Sequence, residues 1–134
     1  MRKHIQPDGL HIRKADGHVL YSHVVVTDAP VTIYIAGQTP RDRDGNNVGK
    51  GDMRAQIRQV GQNLKTALAA AGATLADVVK TTTYVTDVDE FFRHSDLRAE
   101  LFGPTPPTST TIVVKGLAHP DFMVEIEAIA VREK

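Results

Sequence analysis

From Met123 to Val131 the chain alternates with a period of two. Val124, Ile126, Ala128 and Ala130 fall on one face of an extended segment, and Glu125 and Glu127 fall on the other. Such a run is a strand with one face in a core. Met123, Ile129 and Val131 share the carboxylate side, so that second face is expected to be partly covered as well. Carboxylates on a half-covered face need partners or a chemical task.

The rest of the chain supplies one side of that sheet. Met53, Ile57, Val60, Leu64, Ala67, Leu68 and Ala71 recur at helical spacing, with Asp52 placed to cap the start and Gly72 to stop the end. A second helix is expected from Asp87 or Asp89 to Gly103, with Phe91, His94 or Ser95, Arg98, and Leu101 or Phe102 along one side; Pro104, Pro106 and Pro107 forbid its continuation. Strands are expected at Val31–Ala36, which is apolar enough to be central, at 78–86, at Thr110–Val114, and at the closing run. Leu10 to Val26 reads as two short strands turning at Asp16-Gly17. Gly37 marks a bulge or a close backbone approach, and 41–47 reads as an exposed loop with solvated charges. The order ββ, β, α, β, α, β, β predicts an α+β fold: a two-layer sandwich with two helices on one face of a mixed sheet. With no third layer in the chain, another subunit is the expected cover for the opposite face.

Composition narrows the function. At 134 residues the chain suits one domain, 1–134, with a core that needs no staples. Sixteen Lys plus Arg balance sixteen Asp plus Glu, which disfavours nucleic acid and membrane surfaces as partners. There is no cysteine, hence no disulfide and no thiolate chemistry; this suits a cytoplasmic protein. No stretch reads as a signal peptide or a membrane span. The histidines His4, His11, His18, His23, His94 and His119 lack metal-site spacing, and Gly45 and Gly49-Lys50-Gly51 do not form a phosphate loop, so no metal or cofactor is expected.

Tyr21-Ser22-His23, Ala36-Gly37-Gln38, the run Asp77 to Asp87 and the closing run Val124 to Val131 together resemble the YjgF/RidA family of small trimeric proteins. The resemblance covers the chain from about Tyr21 onward. It implies a chorismate-mutase-like fold and a homotrimer with a small-molecule substrate in each inter-subunit cleft. It also implies cofactor-independent hydrolysis of reactive enamines and imines to ketones and ammonia, a deaminase activity. In the family a Glu on the last strand positions the attacking water; it corresponds to Glu125. The family's Tyr corresponds to Tyr21, its strand-end Gly to Gly37, and the residue whose backbone faces the substrate to Thr111. The family's carboxylate-clamping Arg does not carry over, because Ser109 stands at its position, and Ser95 stands where an Asn is common.

A serine offers one donor and no charge where Arg offers a charged fork. Losing such a partner costs about 1.5–3 kcal/mol. The substrate therefore either lacks the usual 2-imino-acid carboxylate or has it held elsewhere, Arg98 and Lys115 being the candidates, although both are surface charges by default. Glu125 and Tyr21 are the expected catalytic residues, and Gly37, Ser109, Thr110 and Thr111 the expected substrate-binding ones. Glu127 is assigned to an interface pair or to solvent. His23 lies two residues after Tyr21, on the same expected strand face. A small-metabolite-binding trimer without turnover remains the alternative, and a ribonuclease is the weaker third reading.

Overall fold

The computed structural model describes residues 1–134. In chain order its elements are strands β1 (Arg2–Ile5), β2 (Lys14–Ala15), β3 (His18–Val19), β4 (Val24–Thr27) and β5 (Val31–Gln38), helix α1 (Met53–Ala70), a 3-10 turn (Leu75–Asp77), β6 (Val78–Val85), helices α2 (Val88–Phe92) and α3 (Ser95–Phe102), then β7 (Thr108–Val113) and β8 (Val124–Arg132). The main sheet runs β5-β8-β6-β7. β8 is antiparallel to both neighbours, while β7 joins β6 in parallel. A parallel pair needs a long crossover, and α2 with α3 provides it.

The closing run is thus the central strand, and its alternation sets the layers. Val124, Ile126, Ala128 and Ala130 are all buried, together with Ile33 of β5 and Val78 and Val85 of β6, against Met53, Ile57, Val60, Leu64 and Leu68 of α1. Each of these side chains other than the two alanines contributes about 1.5–3 kcal/mol relative to exposure. Asp52 caps α1 by accepting from the Ala55 N–H at 3.0 Å, and Gly72, at φ +73°, ends it. Gln56, fully buried on the same face, donates to the Gly49 and Asp121 carbonyls and accepts from the Met123 N–H, all within 2.9 Å. It ties α1 to the loop that leads into β8.

Four expectations are corrected. Val31–Gln38 is an edge strand of the protomer, with Thr32, Tyr34 and Ala36 exposed on one side. There are three α-helices, not two, because the second helical stretch breaks at Arg93-His94, where the Ser95 hydroxyl takes the Phe92 carbonyl at 2.8 Å in competition with the helix ladder. The Asp16-Gly17 turn does form, at φ +50° and +80°, but its strands are two residues each. Val24–Thr27 pairs instead with the N-terminal Arg2–Ile5, as a separate antiparallel ribbon. Tyr21 and His23 consequently lie outside any strand, although their rings meet edge to face at 5.1 Å.

Candidate functional site

Glu125 projects from β8 on the face away from the helices, half-buried, opposite Tyr84 of β6. Its carboxylate rests against the backbone of Gly37, where the β5–β8 register shifts between Ile35 and Gln38. A Cβ at position 37 would overlap Glu125 Oε2 and stand 2.9 Å from its Cδ. The bulge and the close approach anticipated for Gly37 are therefore one feature: a glycine that makes room for this carboxylate. Glu125 takes no hydrogen bond or ion pair within the chain. Glu127, two residues on, is different, because the Tyr84 hydroxyl donates to its Oε1 at 3.0 Å. That bond and the adjacent carboxylates raise the Tyr84 pKa above its ordinary value. Thr110 is exposed on this same face, paired with Thr82.

A second cluster gathers on the opposite, helix-facing side at the start of β7. Ser109 pairs with Thr81, and Thr111 with Thr83, both threonines being buried inward. Ser109 Oγ accepts from Nη2 of Arg98 at 3.3 Å. Arg98 is 8% exposed, contrary to the surface position expected of it, whereas Lys115 is exposed. Tyr21 arrives alongside because the next residue, Ser22, donates its N–H to the Pro107 carbonyl at 3.0 Å. The Tyr21 hydroxyl itself donates to the His11 carbonyl at 3.1 Å, which His23 Nε2 also approaches, at 2.7 Å. Arg13, which nothing in the sequence singles out, lies with its Cζ 3.6 Å over the Phe92 ring.

The expected site residues thus separate into two groups. Glu125, Gly37 and Thr110 belong to the uncovered sheet face, and Tyr21, Ser109 and Thr111 to the edge beside α3. Within one chain the two groups lie on opposite sides of the sheet, with β6 between β8 and β7, and strands stand about 4.8 Å apart. No group of three or more His, Asp or Glu side chains is arranged to hold a metal ion. No helix is long and apolar enough to cross a membrane.

Fold and site together define a class: small α+β proteins in which an unpaired carboxylate sits on a bulged glycine at the open face of a mixed sheet. The sequence model of the family described as Endoribonuclease L-PSP matches residues 13–132, and the chain belongs to this family, also known as YjgF/RidA. A RutC family protein of Pyrococcus horikoshii is 42% identical over 101 residues, covering 75% of this chain and 79% of the relative. Protein DfrA of Myxococcus xanthus is 37% identical over 111 residues, or 83% and 84% of the two chains. Among solved structures, the Rid family protein YyfB of Yersinia pestis superposes with a TM-score of 0.85 at 35% identity over 98% of each chain. The YjgF gene product of E. coli does so with a TM-score of 0.67 at 34% identity, over 80% of this chain and 85% of that one.

Proposed function

We propose that the protein is a cytoplasmic, cofactor-independent hydrolase of reactive enamines and imines, acting as a homotrimer on small molecules bound between protomers. The observation that carries this reading is the Glu125 carboxylate, unpaired and seated on Gly37 at an open sheet face. A carboxylate that no cation or donor occupies is free to take a proton from water. In the reaction the water oxygen bonds to the imine carbon as Glu125 takes one of its protons, and the C=N electron pair moves to nitrogen, which is protonated. The carbinolamine then collapses: its C–N bond breaks, ammonia leaves, and the hydroxyl loses its proton to give the ketone. Imine plus water is balanced by ketone plus ammonia, and positioning and shielding supply the remainder.

The division of the site supports the oligomer in this reading. Glu125 and Gly37 of one protomer and Tyr21, Ser109 and Thr111 of another meet the same ligand only across an interface. Thr110, on the open face, lies on the Glu125 side of that cleft. The departure at Ser109 distinguishes this chain's substrate preference from the family default.

Incubation with an enamine generated in place by an amino-acid dehydratase, followed by ketone and ammonia release, tests the reading. Glu125→Gln is expected to lower the catalysed rate about 100-fold or more, the share general base catalysis typically supplies. Saturable small-molecule binding without acceleration of any imine would overturn it in favour of a metabolite-binding trimer, a reading to which the absence of the family guanidinium at Ser109 lends weight. RNA cleavage, the activity in the family's descriptive name, has little support here, since a chain of zero net charge has no field for a polyanion.

A further inference from the structure

Tyr84 of β6 stands directly opposite Glu125 of β8, and Glu127 is its diagonal neighbour on the same strand. Side chains directly opposite in an antiparallel pair have Cβ atoms about 4.5–5.5 Å apart, and an aromatic side chain reaches the diagonal position as well. The Tyr84 phenol therefore has two carboxylates in range and one hydrogen to donate. It donates to Glu127 Oε1 at 3.0 Å. Thr82, directly opposite Glu127, is short enough to leave that diagonal open. Glu125 leans the other way, toward β5, with its carboxylate against the Gly37 backbone. The remaining titratable side chains of this face are Lys80 of β6 and Tyr34 of β5, which border one groove with Glu127; Thr82 and Thr110 are uncharged.

The choice of partner matters because a carboxylate that accepts a phenolic hydrogen must give up that bond before it can take a proton from water. Both carboxylates act on the phenol. The Glu127 bond comes first among the causes that raise the Tyr84 pKa, and the Glu125 charge is among the others. Glu125 is half-buried and Glu127 exposed, and a charge-assisted hydrogen bond is stronger where water competes less. Without Glu127, the better acceptor left to the phenol is Glu125. We infer that Glu127 is a positioning residue: by holding the Tyr84 hydroxyl it keeps the phenol off Glu125 and leaves that carboxylate unoccupied for the attacking water. As a statement about catalysis this rests on the hydrolase reading above. As a statement about which carboxylate the phenol takes, it stands without that reading.

Imine hydrolysis by the parent, Glu127→Ala and the double variant Glu127→Ala/Tyr84→Phe tests the role. Glu127→Ala removes the acceptor and is expected to lower kcat/KM about tenfold, the margin of one hydrogen bond to a charged group. Adding Tyr84→Phe removes the displaced hydroxyl and is expected to restore most of that loss, which a merely structural defect at position 127 would not allow. Glu127→Gln, whose amide oxygen still accepts the phenol, is expected to retain more of the rate than Glu127→Ala. A second readout needs no turnover: the ionisation of Tyr84, followed by ultraviolet absorbance and identified by its absence from Tyr84→Phe. In Glu127→Ala it is expected to stay above the ordinary tyrosine range, because Glu125 takes over as acceptor, and to fall to that range once Glu125→Gln is added. A fall to the ordinary range in Glu127→Ala alone, or a rate loss that Tyr84→Phe leaves in place, would overturn the inference. Imine turnover undiminished in Glu127→Ala leaves the hydrolase reading standing and removes the positioning role. A phenol that transfers to Glu125 in a protein that turns over no imine leaves the exchange of partners standing and removes the hydrolase reading.

Discussion

Position 37 is where a single hydrogen atom decides what the carboxylate can do. The backbone there is not in the left-handed region, so alanine meets no conformational barrier; it meets Glu125. Because the overlapping atom is the free end of a flexible side chain, Glu125 can swing aside cheaply. Gly37→Ala is therefore expected to cost about 1 kcal/mol or less in stability while reducing imine hydrolysis about tenfold or more, as misplacement of a reacting group does. Thermal melts beside rate measurements check the separation, and a Gly37→Ala enzyme of full activity would contradict it. Arg98 sets the opposite test. Burial pushes the Arg98 guanidinium below its ordinary range, to about 10, and this costs the folded state about 3 kcal/mol. Since the folded state binds this proton less readily than the unfolded one, the penalty is full below about pH 10 and fades as pH rises beyond it. Allowing for the lost Ser109 bond and Phe91 contact, Arg98→Met is expected to raise Tm at pH 7 by about 3–6 °C. Its stability advantage over the parent is expected to shrink above about pH 10.

Among the elements, α1 and β8 were legible from the sequence because each carries one period without interruption. The seven-residue apolar series from Met53 to Ala71 and the closing alternation both name their buried faces, and Asp52 and Gly72 are plain punctuation. The polar member of that helix face was not legible. Gln56 reads as surface, yet its amide is sealed and fully used by Gly49, Asp121 and Met123, because the loop before β8 has backbone groups that need partners once buried. Gln56→Ala is expected to destabilise by about 3 kcal/mol, and denaturant unfolding checks it; a loss under about 1 kcal/mol would mean that water replaces the amide. The second helix was readable as a stretch but not as two pieces, since Ser95 looks like an ordinary polar residue until its hydroxyl takes the Phe92 carbonyl. Its apolar side did contain the signal for the buried cation: Arg98 falls in line with Phe91 and Leu101, and a charge on an apolar stripe is either an error of register or a site.

At the scale of the molecule, what remains is a sheet covered on one side only. Tyr34 is 77% exposed on the edge strand, and with Ala36, Lys80, Thr82 and Ile129 it borders a groove of about 270 Å³ on the open face. The sequence announced this face through Ile129 and Val131 standing beside the two glutamates. It could not announce the pairing of Arg2–Ile5 with Val24–Thr27, which depends on contacts remote in sequence, such as Ser22 with Pro107. Nor could it show that Glu125 and Ser109 face away from each other, because that depends on β7 joining β6 in parallel at one particular register. In the proposed function this division makes assembly a condition of activity rather than an accessory to it. Sedimentation is expected to give about three times the 14.6 kDa chain mass. Tyr34→Glu, which places a charge at the centre of the proposed interface, is expected to yield monomers with unchanged helix content and no imine hydrolysis, although every candidate site residue is still present. Monomers of full activity would mean that one chain completes its own cleft, and the division of the site across the sheet would then have no bearing on catalysis.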